Sequence, residues 1–272
     1  FSIIKMVINM TKLVVSDLDG TLLCNHQVSK ENLQAIKKLK EKGIAFTVAT
    51  GRHKRSAEYI LKQLDLDLPV LCNNGAQIVD PKTMETLEAK TIEKRTLQKL
   101  LDYMEEERYE YMLTTDEGIY LTEHMVDAVF DEAGKIPIKV TSREDMQKVA
   151  SEDILKLLVV EFDEDKMEKI YRFSKTFSTI DVVISASGFL NIGSKDASKG
   201  LGLKYLEEYT SVTLKDMFTI GDQENDLSMI QAAGKGVAMG NASTLLKKHA
   251  KLHTKTNCEH GFKEAIHKYV LR

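Results

Sequence analysis

One stretch decides the fold of this 272-residue chain: Leu13-Val14-Val15-Ser16-Asp17-Leu18-Asp19-Gly20-Thr21-Leu22-Leu23. Its apolar beginning predicts a buried strand of a parallel sheet. Because side chains alternate along a strand, an extended chain through Asp17 and Asp19 would place both carboxylates on one face. Two carboxylates at the end of a buried strand repel each other and lose hydration, and a bound divalent cation would offset both costs.

These two acids have the chemistry of a phosphate-transfer site. Hard oxygen ligands that leave room for a phosphate and waters suit Mg²⁺. One aspartate can attack phosphorus while the other moves protons. The alternative is a plain strand followed by a turn, with Asp19-Gly20 as the turn. That alternative would explain a bare Asp-x-Asp, but we favour the site for an apolar run followed by Asp-x-Asp-Gly-Thr.

Composition limits the class of protein. The chain is long enough to bury a large core, and its net charge of -3 gives no reason to expect nucleic-acid binding. No apolar run approaches the length of a membrane span. The three cysteines, Cys24, Cys72 and Cys258, are few and far apart, so they predict neither a disulfide framework nor a zinc cluster. A reducing cytoplasm therefore fits best.

The order of strand and helix signals predicts two units. Strands and helices alternate as far as a third strand at Val70-Leu71-Cys72, which is typical of a parallel sheet. Hairpin signals follow, with turns at Asp116-Glu117 and Ser187-Gly188. The alternating pattern returns at Lys199. We predict an α/β fold whose Rossmann-like parallel-sheet core comprises residues 1–82 and 188–272, with an α+β unit inserted at residues 83–187.

Polar groups follow the second predicted strand, which ends at Ala49. Thr50 and Gly51 supply a hydroxyl and backbone N–H groups that could hold phosphate oxygens. Thr-Gly after a strand is usually just a turn. Ligands of open parallel sheets bind at the carboxyl ends of the strands, however, so the position favours phosphate binding by Thr50 and Gly51.

A lysine begins the helix that leads back into the predicted core. The ammonium of Lys199, next to Gly200, could neutralise phosphate and the attacking aspartate together. An isolated lysine is more often a solvated surface charge, and Lys195 is a nearby competitor. We prefer Lys199 because Ser198-Lys199-Gly200 opens that helix.

Three acids and one amide follow another buried strand, in Gly221-Asp222-Gln223-Glu224-Asn225-Asp226. Capping of the next helix would explain one or two of these residues but not the cluster. We predict that Asp222 binds the metal and that Asn225 donates to phosphate. Asp226 is predicted to orient Lys199 or a metal-bound water.

The four segments resemble, in order, the motifs of the haloacid dehalogenase superfamily of phosphohydrolases: Asp-x-Asp-Gly-Thr, Thr-Gly-Arg, Lys-Gly and Gly-Asp-x-x-Asn-Asp. Two further segments, Asn73-Asn74-Gly75-Ala76 and the tail from Ala232 to Ala242, resemble its Cof-like sugar-phosphate phosphatases. That branch (type IIB) carries a large α+β cap after the third strand. The resemblance covers nearly the whole chain from Met10 onward, without a departure at a chemical position.

The resemblance implies a mechanism and a set of residues. Asp17 would be the nucleophile that becomes an aspartyl-phosphate, and Asp19 would protonate the leaving alcohol and then activate water. Mg²⁺ would be held by the Asp17 carboxylate, the Asp19 backbone carbonyl and Asp222. The transferring phosphoryl group would be cradled by Thr50, Gly51, Lys199, Asn225 and the backbone N–H of Leu18. The expected activity is that of a phosphoric monoester hydrolase, acting on a small phosphorylated metabolite such as a sugar phosphate.

Two alternatives remain open. A phosphosugar mutase would resemble this superfamily in core and in cap, and it would move phosphate within a sugar instead of releasing it. A non-catalytic phospholigand-binding protein could use the same pocket, although a binding protein needs neither Asp17 nor Asp19. The substrate and the oligomeric state cannot be read from the sequence.

Overall fold

The structure is a computed structural model that describes residues 11–122, 125, 138–186 and 188–271. Its core is a central sheet of five strands, all parallel. The strand that directly precedes Asp17 lies between two other strands of this sheet, so both of its edges are hydrogen-bonded. In spatial order the strands are Leu252–His253, Lys235–Ala238, Met217–Gly221, Leu13–Ser16 and Ala45–Val48.

Both faces of the central sheet are buried, as the apolar runs predict. Val14 packs with Phe46 and Phe218 on one face. Val15, which points the other way, packs with Leu203 on the opposite face. A parallel sheet covered on both faces presents its polar ligand sites at the carboxyl ends of its strands. The helices of this part are Lys30–Glu41, Lys54–Leu64, Lys199–Thr210, Leu227–Ala232, Thr244–His249 and Gly261–Tyr269.

Local signals set the ends of the first helix. Ser29 is its N-cap, and the Ser29 hydroxyl accepts a hydrogen bond from the backbone N–H of Asn32 at 3.2 Å. The helix buries Ile36 and Leu39, which are three residues apart on one face. Gly43 follows the last turn with a φ of +71°, a left-handed conformation that glycine adopts without strain.

Two small sheets accompany the central one. A bridging sheet of three antiparallel strands begins beside the central sheet, where Ala49 and Leu71 form an isolated parallel bridge. A short hairpin follows the Asp-x-Asp motif. The bridging strands are Val70–Cys72, Gln77–Val79 and Thr86–Ala89, the hairpin strands are Leu23–Cys24 and Gln27–Val28, and short 3₁₀ turns lie at Asn73–Gly75, Leu214–Asp216, Glu224–Asp226 and Asn257–Glu259.

An inserted sheet of six strands forms a second core. Three helices, Lys94–Glu106, Arg143–Val149 and Glu164–Lys175, supply apolar side chains to the cluster on one of its faces. The strands that flank Asp116-Glu117 pair antiparallel, as predicted, and so do the strands before and after Ser187-Gly188. Ser187 itself lies outside the described residues. In spatial order the strands are Ile138–Val140, Ile119–Leu121, Glu110–Thr114, Lys156–Val160, Phe189–Ser194 and Ile180–Ala186. The predicted fold class, a parallel-sheet α/β core with an inserted α+β unit, is confirmed.

Each of the predicted boundaries, at 83 and at 188, separates two strands that are hydrogen-bonded to each other. Thr86–Ala89 pairs with Gln77–Val79 in the bridging sheet, and Phe189–Ser194 pairs with Ile180–Ala186 in the inserted sheet. If paired strands are kept in one unit, both limits shift along the chain. The order of the elements in the sequence does not show this pairing. We propose that the inserted unit spans residues 90–194.

The cysteine prediction is wrong. Cys24 of the short hairpin and Cys258 form a disulfide across 234 residues of sequence, with their Cα atoms 5.2 Å apart. The spacing of the cysteines in the sequence does not predict this pair, because only the folded chain brings Cys24 and Cys258 together. Cys72 is free and buried. In the part of the chain that the structure describes, none of the helices is long and apolar enough to cross a membrane.

Candidate active site

The Asp-x-Asp motif places its two carboxylates in different surroundings. Asp17 directly follows the strand Leu13–Ser16, and its backbone N–H donates to the Ile220 carbonyl of the neighbouring strand at 3.0 Å. Its side chain is buried. The Asp19 side chain is 48 % exposed and forms an ion pair with Arg52. The motif therefore supplies one buried and one accessible acid.

Lys199 contacts two acids from different parts of the chain, Asp17 and Asp226. Its Nζ lies 2.6 Å from Asp17 Oδ1 and 2.6 Å from Asp226 Oδ1, and its side chain is completely buried. A buried ammonium is stable only with charged or polar partners. The sequence places Lys199 182 residues from Asp17, so the fold has assembled this contact.

Asp226 uses both carboxylate oxygens within the protein. Oδ1 accepts from Lys199, and Oδ2 accepts from the backbone N–H groups of Asp222 at 2.8 Å and of Gln223 at 3.0 Å. An acid with both oxygens engaged in this way fits the predicted orienting role better than direct metal binding.

Asp222 is held against the turn of the first motif. Thr21 Oγ1 donates to Asp222 Oδ1 at 3.1 Å, and Asn241 Nδ2 donates both to Asp222 Oδ2 at 3.3 Å and to the Gly20 carbonyl at 2.8 Å. Gly20 has a φ of +75°, and a Cβ there would collide with the Asp222 carboxylate. The turn thus needs glycine both for its backbone and for the close approach of Asp222.

The charges of the site favour a divalent cation. Carboxylate oxygens of Asp17, Asp222 and Asp226 lie within 4.8 Å of one another. Three carboxylates against the one ammonium of Lys199 leave an excess of two negative charges. Burial raises the pKa of Asp17 to about 8, with Lys199 acting in the opposite direction, and burial raises the pKa of Asp222 to about 6. Hard oxygen donors of this charge fit Mg²⁺.

Burial lowers the affinity of Lys199 for its proton, but Asp17 and Asp226 outweigh that effect and hold the pKa of Lys199 above its usual value. The lysine therefore remains an ammonium at neutral pH. A fixed positive charge next to Asp17 stabilises its ionised form, which is the form that can attack phosphorus.

Two of the predicted phosphate-binding residues, Gly51 and Asn225, lie close together. Thr50 is buried, and its Oγ1 accepts from the Arg52 backbone N–H at 3.1 Å, which leaves the hydroxyl proton to be donated. A Cβ on Gly51 would lie 3.1 Å from Asn74 Oδ1 and 3.7 Å from Asn225 Nδ2. Asn225 Nδ2 itself donates to Asn74 Oδ1 at 2.8 Å. Leu18, between the two acids of the motif, is fully buried.

Sequence reasoning missed three polar residues of this region. Arg52 donates to Asp19 through Nε at 2.6 Å and through a terminal nitrogen at 2.5 Å. Asn74 contacts Asn225, and Asn241 orients Asp222. All three belong to segments that resemble motifs of a known family. The motifs therefore marked these three residues. Their roles could not be assigned without knowing which side chains they contact in the folded protein.

Comparisons with known proteins point to one family. A family model described as haloacid dehalogenase-like hydrolase matches residues 14–266. The chain is 33% identical to phosphatase YwpJ of Bacillus subtilis (strain 168), with 92% of this chain and 96% of that protein covered. It is 28% identical to 5-amino-6-(5-phospho-D-ribitylamino)uracil phosphatase YcsE of the same organism, with 96% of each covered. A solved haloacid dehalogenase-like hydrolase from B. subtilis, 31% identical, matches with a TM-score of 0.83 over 95% of this chain and 100% of that one.

Proposed function

This chain belongs to the haloacid dehalogenase-like hydrolase family and is a phosphatase, and we propose that it hydrolyses small phosphate monoesters through a phosphorylated Asp17. The resemblance to the Cof-like phosphatases with a large α+β insertion is confirmed. The observation that carries the proposal is the buried contact of Lys199 with both Asp17 and Asp226. If this contact were only a structural ion pair, it would not explain why a second acid, the partly exposed Asp19, follows the same strand.

The first chemical step forms a bond between Asp17 and phosphorus. A carboxylate oxygen of Asp17 attacks in line, the bond from phosphorus to the leaving oxygen breaks, and Asp19 gives that oxygen its proton. Lys199 and the donors of Thr50, Gly51, Asn225 and the Leu18 backbone hold the transferring group. Mg²⁺, bound by Asp17, the Asp19 carbonyl and Asp222, would offset the negative charge at phosphorus.

The second step returns Asp17 to its starting state. Asp19, now ionised, takes a proton from a water molecule as that water attacks phosphorus, and the bond between phosphorus and Asp17 breaks. Inorganic phosphate leaves, and Asp19 carries a proton for the next cycle. Arg52 is placed to fix the direction in which the Asp19 carboxyl points, because it holds both carboxylate oxygens.

The substrate class and the location belong to the proposal. A sugar phosphate or a related phosphorylated metabolite fits the family branch, and the relative YcsE is named for a ribityl phosphate ester. We propose no nucleic-acid or membrane partner. A cytoplasmic location requires that the Cys24–Cys258 disulfide form and break with redox conditions, because lasting disulfides belong to oxidising compartments.

The substitution Asp17→Asn tests the nucleophile. Release of phosphate from a panel of sugar, polyol and nucleotide monoesters should fall by on the order of 10⁴-fold or more, because an amide cannot replace the nucleophile. Glu224→Gln is the matched control: Glu224 belongs to the same acidic segment but is exposed, and its loss should leave turnover unchanged. Near-normal turnover in Asp17→Asn, with circular dichroism unchanged, would refute the proposal.

The same panel separates the two alternatives. A mutase would accumulate an isomeric sugar phosphate without releasing inorganic phosphate. A binding protein would retain the ester unchanged in the presence of Mg²⁺. Phosphate release that chelation by EDTA abolishes and Mg²⁺ restores is the outcome that we expect.

A further inference from the structure

One turn of the inserted sheet rests directly on the core. This turn, here called the tip, comprises residues 115–118 and connects the strands Glu110–Thr114 and Ile119–Leu121. Asp116 of the tip accepts hydrogen bonds from Lys54 Nζ at 2.7 Å and from Gln77 Nε2 at 2.5 Å. Thr86 Oγ1 also donates to it. Three core side chains thus converge on a single carboxylate of the inserted unit.

Lys54 makes this contact a strong constraint. Its side chain is 3% exposed, whereas that of Asp116 is 44% exposed. A buried ammonium left without its carboxylate costs far more than a broken surface pair, because the lost hydration is not replaced. Burial raises the pKa of Asp116, but the hydrogen bonds from Lys54, Thr86 and Gln77 outweigh it and keep that pKa below its ordinary value.

His53 adds a second contact of the same kind. Its Nδ1 accepts from the backbone N–H of Arg55 at 3.2 Å, which makes His53 the N-cap of the helix Lys54–Leu64. The other nitrogen, Nε2, therefore carries the proton and donates to the Thr115 carbonyl at 3.0 Å. Burial lowers the pKa of His53, in keeping with this neutral form.

The tip is connected to the reacting groups through three consecutive residues. His53 and Lys54 hold the tip, and Arg52, which directly precedes them, holds both oxygens of Asp19. We propose that Lys54 and Asp116 are positioning residues: docking of the tip on Lys54 fixes the segment Arg52–Lys54 and thereby the direction of the Asp19 carboxyl. The inserted unit then acts on the acid–base step without contacting the substrate. This inference rests on the proposed role of Asp19.

Kinetics with two leaving groups test the coupling. In Asp116→Asn the side chain loses its charge and keeps only one acceptor oxygen, so it cannot accept from Lys54 on one side and from Gln77 and Thr86 on the other, and the tip should undock. The quantity compared is kcat/KM, because it reports the phosphorylation step and not the later hydrolysis in which Asp19 activates water. For a hexose 6-phosphate, whose alkoxide needs a proton to leave, kcat/KM should fall by about 10-fold, a part of the ~10²–10⁴-fold that general acids contribute. For p-nitrophenyl phosphate, whose leaving group needs none, kcat/KM should change less than about 2-fold. Asp19→Ala should show the same pattern with a larger amplitude.

Matched variants separate positioning from simple destabilisation. Glu58→Gln breaks an exposed ion pair with Lys62 on the same helix and should change neither substrate. Thr86→Val removes one donor to Asp116 and one acceptor that Lys54 and Gln77 both use, but it leaves the Lys54–Asp116 ion pair in place. It should show the Asp116→Asn pattern more weakly, and it replaces Asp116→Asn if that variant does not fold. Equal losses for both leaving groups would overturn the proposal, since a loss of folded enzyme lowers both alike.

Hydrogen exchange tests the coupling independently of activity. In Asp116→Asn, backbone amides of residues 50–56 and of residues 110–121 should both exchange faster than in the unaltered protein. Faster exchange confined to residues 110–121 would overturn the inference, because the core segment would then not follow the tip. If the unaltered enzyme hydrolysed none of the esters, the proposed function would fail, and the exchange result would still decide whether the tip is coupled to this segment.

Discussion

At the scale of single residues, the site depends on how buried charges are balanced. Lys199 is completely buried and contacts two carboxylates, Asp17 and Asp226. Both acids are buried, so the ammonium replaces much of the hydration that each has lost. One side chain therefore contributes both to the stability of the fold and to the ionisation of the proposed nucleophile.

Replacing this lysine by an apolar chain of similar length should be costly. Lys199→Met leaves two buried carboxylates without their counter-charge, and we expect the free energy of unfolding to fall by about 3–5 kcal/mol. Urea denaturation at pH 7 without divalent cations measures it. Lys62→Met, at the exposed pair with Glu58, is the control and should lose much less. Equal losses in the two variants would show that burial of the charge is unimportant.

Most of the reacting residues could be predicted because motifs mark them locally. Asp17, Lys199, Asp222 and Asp226 were predicted to meet, and the structure brings them together. Arg52 could not be assigned a partner from the sequence, since its contact with Asp19 depends on how two separate strand ends are placed side by side. Their catalytic roles remain predictions.

At the scale of elements, the turn after the first strand lies against Asp222, the proposed metal ligand. Gly20 has a positive φ, and its missing side chain leaves room for Asp222. Gly43 has a similar φ of +71°, but a Cβ there would meet nothing within 4 Å. The two glycines share one backbone requirement and differ only in their neighbours, which makes them a matched pair.

Alanine at each glycine separates these two effects. Gly43→Ala should lower the free energy of unfolding by about 1–2 kcal/mol, the cost of a left-handed residue with a Cβ. Gly20→Ala should lower it by at least as much, because its Cβ also collides with Asp222. Only Gly20→Ala should also weaken Mg²⁺ binding, by on the order of 10-fold or more, because Asp222 must move. Isothermal titration with Mg²⁺ measures this. Unchanged affinity in Gly20→Ala would count against Asp222 as a ligand.

The strands and helices of the core follow their sequence signals because each signal is local. The helix predicted after Ser29 begins at Lys30, and the strand predicted before Asp222 is Met217–Gly221. The limits of the inserted unit stay a prediction, and the hairpin predicted around Ser187-Gly188 bears on one of them. Pairing between Phe189–Ser194 and Ile180–Ala186 decides that limit, and pairing is a non-local property.

At the scale of the whole molecule, the disulfide closes a loop that contains most of the chain. Cys24 and Cys258 are 234 residues apart in sequence. In the chain-entropy model, closing so long a loop disfavours the unfolded state by about 5 kcal/mol, while measured disulfides typically contribute ~2–4 kcal/mol. The bond therefore constrains the unfolded chain more than it does the folded one.

Reduction should reveal this contribution. We expect a phosphine reductant to lower the free energy of unfolding of the oxidised protein by about 2–4 kcal/mol, measured by urea denaturation. Cys24→Ser should be insensitive to the reductant. Cys72 does not interfere, because burial raises the pKa of its thiol to about 12 and keeps it protonated. Identical stability of the unaltered protein with and without reductant would contradict the prediction.

The Cys24–Cys258 disulfide would also keep the enzyme in one piece after a cut in its backbone between these two residues. A protease that cuts an engineered site within the inserted sheet would leave one fragment carrying Asp17 and another carrying Lys199 and Asp222. The sulfur–sulfur link would keep the two fragments as one covalent species, separable on a gel only after thiol treatment. The nicked enzyme would then keep its active-site residues together. Reduction of the disulfide, and not dilution, would decide whether the two fragments separate.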